Sequence, residues 1–136
     1  MKICFVHKFI PVPVFYTERF IALGAATVTA GPFCCILMKP KYRDREDVGL
    51  LKHELRHVEQ NWRSWFMHPI KYHYSDKYRL EAEAECYAVQ LLEYADDRDR
   101  RRTLFIDYML NKYRLPFSRE TVAAALDRWI RHLSDA

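Results

Sequence analysis

The 136-residue sequence holds four cysteines, Cys4, Cys34, Cys35 and Cys86, yet no CxxC pair. That lack excludes a zinc ribbon and a dithiol redox motif. The thiols read instead as small buried hydrophobes in a reducing compartment. Charge of one sign is also scarce: 22 Lys plus Arg face 18 Asp plus Glu, a net charge of only +4. So slight an excess does not point to a nucleic-acid partner. No internal repeat is visible. The first residues offer no secretory signal, because His7 and Lys8 break the apolar run that would have to form its core. A cytoplasmic protein is expected.

Half of the residues are hydrophobic and 15% are aromatic, so a disordered chain is excluded. The length suits one compact domain spanning residues 1–136. Residues 20–38 carry no charge, nearly enough to cross a bilayer as a helix. Gly31-Pro32 interrupts them, however, and β-branched Thr27, Val28 and Thr29 precede that break. Two short apolar runs about a Gly-Pro turn read as a buried hairpin, so a membrane partner is not expected. A peptidase anchored through residues 20–38 is the reading that this hairpin displaces.

Residues 1–19 read as irregular, with Pro11 and Pro13 favouring extended or edge-strand structure. A charged connector from Lys41 to Asp47 leads into a helix of about 18 residues, with Asp44 or Asp47 as N-cap. Because residues before proline disfavour helix, it should end before His68-Pro69. A loop, Pro69 to Ser75, precedes a second long helix that runs to about Asp97, capped by Ser75 or Asp76. A third helix spans Arg98 to Tyr113, and Ser118 caps a fourth whose apolar residues include Val122, Ala125, Leu126, Trp129 and Leu133. Strands first and helices after predict an α+β fold.

The first long helix contains His53-Glu54-Leu55-Arg56-His57, an HExxH motif. Roughly 0.02 such matches are expected by chance at this composition. Residues four apart lie one above the other on a helix, so both imidazoles can reach one zinc ion. Glu54, about 100° around the helix, can act on water at such a site without being a ligand. Val48, Leu51, Leu55, Val58 and Trp62 form an apolar ridge, and Lys52, Arg56 and Glu59 the solvent side. The histidines share a third side with Leu50 and Asn61. The bland alternative is two surface histidines on an ordinary amphipathic helix.

A catalytic zinc site needs a third protein ligand. On the second long helix, Leu80, Ala84, Tyr87, Ala88, Leu91, Leu92 and Ala95 define a buried arc. Glu81 and Glu85 fall within one side of it, whereas Glu83 falls on the polar flank beside Gln90. Acids on an apolar stripe require a partner. Glu81 is therefore expected to be the direct ligand, with Glu85 accepting the second ring N–H of a ligating histidine. A solvated acidic helix start is the competing explanation.

HExxH followed some two dozen residues later by a helical ExxxE resembles the gluzincin metallopeptidases, especially the small minigluzincins, over about Ile21 to Leu92. The resemblance implies a zincin-like domain in which a small N-terminal sheet packs on the metal helix. His53, His57 and Glu81 would bind zinc, Glu54 would be the general base and acid, and Glu85 the outer-shell acid. Residues 27–38 would form the cleft edge that pairs with an extended peptide. Two features depart from the pattern. Glu85 stands where the family commonly has Asp, and no local motif assigns the oxyanion-stabilising His or Tyr, for which His68, Tyr72, His73, Tyr74 and Tyr78 are candidates.

The expectation is a zinc-dependent peptidase or amide hydrolase acting on a peptide or protein substrate. Its rival is a catalytically inactive, zinc-stabilised interaction module. Arg98-Asp99-Arg100-Arg101-Arg102 reads as a solvated helix start and not a phosphate-binding stripe.

Overall fold

The computed structural model describes residues 1–19, 26–43 and 48–136 and has an α+β architecture. Two compact units divide it, Met1–Pro69 and Ile70–Ala136. The first contains a mixed four-stranded sheet of β1 (Lys2–Val6), β2 (Ile10–Tyr16), β3 (Ala26–Val28) and β4 (Ile36–Met38), in the order β1-β2-β4-β3. β1 and β2 are antiparallel, β2 and β4 parallel, and β3 and β4 antiparallel.

The N-terminal segment is therefore a hairpin, where the sequence suggested irregular structure. Alternation explains it. Val6, Val12 and Val14 are buried on one face together with half-buried Cys4. Pro11 and Pro13 are two residues apart, so their missing N–H groups fall on the same side of β2. β1 pairs along Ile10 to Val14, but β4 pairs only from Val14 onward, which leaves that side open where the prolines sit.

The second hairpin matches expectation within the described residues. Ala26 pairs with Met38 and Val28 with Ile36, and the connection includes Gly31 at φ 98°. Residues 20–25 of the uncharged stretch lie outside the described residues. Among the described residues, no helix is long and apolar enough to cross a membrane.

Helix α1 (Val48–Arg63) packs on the sheet through Val58, fully buried, with Leu51, Leu55 and Trp62 partly buried beside it. Val48, placed on this ridge by its spacing, is 49% exposed at the helix start. The Asp44 and Asp47 caps lie outside the described residues. The helix also ends earlier than Pro69 alone would require. Trp65 and Phe66 adopt left-handed backbone, φ 52° and 63°, and the Phe66 N–H donates to the Asn61 carbonyl at 2.8 Å. His68-Pro69 then opens a short helix, α2 (His68–Tyr74), where a loop was expected. Proline is tolerated in a first turn because its absent N–H would have no helical partner there.

In the second unit, α3 (Asp76–Leu92) begins at Ser75, whose hydroxyl accepts from the Tyr78 N–H at 3.1 Å. It stops at Leu92, five residues short of the expected Asp97. Helices α4 (Arg98–Asn111) and α5 (Arg119–Ser134) follow, and Ser118 accepts from the Thr121 N–H at 3.1 Å. Leu80, Ala84, Ala88, Leu91, Ile106, Met109, Val122 and Leu126 form the core of this unit. Tyr87 stacks on Phe105 with ring centroids 4.7 Å apart. Arg102 clasps Asp127 through two bonds of 2.7 Å, which holds the Asp127 carboxyl below its ordinary pKa.

Leu126→Ala should destabilise the protein by about 2–5 kcal/mol through cavity formation, read as a lower urea midpoint. An unchanged midpoint would contradict its place in the core. Asp127→Asn tests the clasp. Because the folded carboxyl is the stronger acid, its contribution is present above the usual aspartate pKa of about 4. It is lost as pH falls through the lower folded value. Wild type should exceed the variant by about 0.5–1 kcal/mol at neutral pH, and the two should converge in acid.

Candidate metal centre

Helix α1 brings His53, Glu54 and His57 within one turn. His53 and Glu54 are only 3% and 6% exposed, and His57 is half-buried. Gln60 and Asn61 are buried on the following turn. Such a polar surface on a helix that also packs on a sheet is costly to bury unless its groups are engaged. Several of those engagements lie within the unit. The Asn61 side-chain N–H donates to the Gly31 carbonyl at 2.8 Å, which fastens α1 to the connection between β3 and β4. Arg56 pairs with Glu59, both side chains only about a quarter exposed (23% and 27%) although the sequence pattern put them on the solvent side.

The His53 and His57 rings lie 5.1 Å apart, centroid to centroid, with planes at 70°. His57 Nδ1 is 3.0 Å from Gln60 Oε1. A carboxamide oxygen only accepts, so this contact puts the proton on Nδ1. Sequence reasoning missed Gln60. Its signal was the i,i+3 spacing from His57, which makes the two side chains neighbours on one face. His68, at the start of α2, lies 5.6 Å from the His57 ring. Among the oxyanion candidates it is therefore the one placed beside the HExxH histidines within this unit. Two imidazoles with one oriented nitrogen are donors that could hold a metal ion.

The acidic residues of α3 belong to the second unit. Glu81 is met by α5: Trp129 Nε1–H donates to it at 2.9 Å, and the Arg128 guanidinium pairs with its other oxygen. Glu85 is 3% exposed, in keeping with the buried arc. Glu83 departs from the helical-wheel assignment. It was placed on the polar flank with Gln90, yet the two are only 1% and 7% exposed.

The reason is tertiary. The Tyr72 hydroxyl, from α2, donates to Glu83, so an acid that looks solvent-facing on one helix is enclosed by the preceding one. Cys86, also on α3, is fully buried.

Burial, followed by the Glu83 charge, raises both the Tyr72 and the Tyr113 phenol well above the ordinary tyrosine range. Tyr72 is thus engaged with Glu83, while His73 and Tyr74 stack on one another at 4.8 Å. Arg98–Arg102 is tied to acids: Arg100 pairs with Asp97 and Arg102 with Asp127. Trp65 is 85% exposed, whereas Trp62 packs against the core and lies 4.8 Å from Phe66, ring centroid to ring centroid. The left-handed backbone at the end of α1 turns Trp65 outward.

Compared with protein-family models, curated proteins and solved structures, the chain matches none.

The two buried phenols give a titration signature. Of nine tyrosines, Tyr72 and Tyr113 should stay protonated after ordinary tyrosines ionise near pH ~10, seen as missing phenolate absorbance while the protein remains folded. Stability should fall above that pH, because the unfolded chain ionises where the folded one holds its protons. Replacing both with Phe should remove the lagging fraction. Complete ionisation of the folded wild type in one step would contradict this enclosure.

Proposed function

We propose that this chain is a zinc-dependent peptide or amide hydrolase of zincin-like type, with His53 and His57 as two of its metal ligands. The observation that supports it most is the pair of imidazoles one turn apart on the buried side of α1, with Glu54 also buried in the same turn. An ordinary surface pair would be solvated. Gln60 adds support, because an acceptor at Nδ1 of a neutral imidazole is the usual outer partner of a ligating histidine.

The third protein ligand comes from α3 in this reading. Glu81 is its expected source and Glu85 the expected acid behind it. Glu81 already receives Arg128 and Trp129, so Glu83 and Cys86 enter as alternatives by chemistry, a carboxylate and a thiolate both being zinc donors. When bound, zinc supplies Lewis acidity and lowers the pKa of water toward neutrality. Glu54 accepts the proton as water attacks the substrate carbonyl, then delivers it to the leaving amine. His68, beside His57, is the group in reach to steady the developing oxyanion.

Elemental analysis and hydrolysis of a mixed peptide library test this reading together. His53→Ala should lose the metal. Glu54→Gln should keep it and lose hydrolysis by about 10²–10⁴-fold. Single Glu81→Gln, Glu83→Gln and Cys86→Ala variants should separate the third ligand, since only its loss lowers zinc affinity sharply. Wild type that binds zinc but hydrolyses nothing would favour the zinc-stabilised interaction module, and wild type without zinc would refute both.

A further inference from the structure

The sheet has a second face, turned away from α1, that is apolar and open. In β1 and β2 the residues opposite the buried valines are Ile3, Phe5, Pro11, Pro13 and Phe15, with Ile3 facing Pro13 and Phe5 facing Pro11. Ile3 is 51% exposed, Phe5 60% and Phe15 40%, and Phe9 at the hairpin tip is 84% exposed. An outward sheet face in water ordinarily alternates to polar residues. Here no charged or hydrogen-bonding side chain interrupts those five positions. A contiguous open patch of this kind marks an interaction surface.

Charge identifies the occupant. Lys2, Lys8, Arg19, Lys39, Lys41 and Arg43 are all the basic residues of positions 1–43, and Glu18 is their only acid. The remaining residues, 44–136, hold 16 basic and 17 acidic side chains. The positive excess of the whole chain therefore belongs to the segment that builds the sheet. It also borders the apolar face at the hairpin tip, where Lys8 adjoins the exposed Phe9.

We propose that this face of the β1–β2 hairpin docks on an anionic lipid surface. Phe5, Phe9 and Phe15 would enter the interface while Lys8 meets the headgroups. Aromatic side chains at the headgroup level with flanking basic residues are the chemistry by which a soluble element lies on a bilayer without spanning it. Pro11 and Pro13 suit such a face because they add apolar surface without an N–H that hydrocarbon would leave unpaired. The surface is independent of the zinc reading, since none of its residues belongs to the HExxH turn.

Co-sedimentation of the full chain with phosphatidylcholine vesicles, with and without phosphatidylserine, tests the proposal. Binding to the anionic vesicles should exceed binding to the neutral ones by about tenfold or more and weaken with salt. Phe5→Ser with Phe9→Ser, both exposed positions, should cut it by about tenfold or more while circular dichroism stays unchanged. Lys8→Glu should reduce the preference for phosphatidylserine. Absence of vesicle binding would overturn the proposal. So would equal binding by the folded double-serine variant, or equal retention of wild type and variant on soluble polyglutamate, which marks a purely acidic partner. Light scattering that shows a wild-type dimer made monomeric by the two serines would give the face to a second copy instead.

Discussion

The pitch of α1 is the constraint on which the candidate site depends. Side chains four residues apart return to the same side of a helix, and here that side carries His53 and His57. The pitch alone does not orient the helix. Val58, Leu51, Leu55 and Trp62 do so by packing on the sheet, which fixes the rotation of α1 about its axis. Once that rotation is set, the imidazoles, Glu54 and Gln60 have no freedom to present another face. Apolar burial thus acts as the orienting force for a polar constellation, and the hydrogen bond from Asn61 to Gly31 reinforces the same rotation from the next turn.

A second layer of positioning acts on protons. Gln60 supplies an acceptor to His57 Nδ1 and so favours the tautomer that carries its proton there. Tyr72 supplies a donor to the buried Glu83. In each case a neutral side chain, one on the same helix and one on the preceding helix, holds an ionisable one by a hydrogen bond. Neither partner forms part of a familiar motif: Gln60 is reached by its i,i+3 spacing from His57, and Tyr72 only by tertiary contact.

Most of the helices were legible because capping and periodicity are local. Ser75 and Ser118 cap where expected, and Val122, Ala125 and Leu126 lie buried at helical spacing. The N-terminal hairpin was not legible. Pro11 and Pro13 argue against a strand with neighbours on both sides, and only the late start of β4 pairing resolves the conflict. α1 does end before His68-Pro69, as expected, but what stops it at Arg63 was not visible: the left-handed Trp65 and Phe66 carry no glycine or asparagine signal. In the site, HExxH was visible as a helical pattern. The burial of Glu83 was not, since a helical wheel contains no information about a tyrosine on the preceding helix.

The clasp between Asn61 and Gly31 also works as a ruler. Gly31 lies in the connection that leads from β3, an edge strand of the sheet, back to β4, and Asn61 lies one turn beyond His57. The connection and the turn of α1 after His57 are therefore held at one hydrogen-bond length, so a residue inserted between β3 and β4 would be felt directly at that turn of the helix.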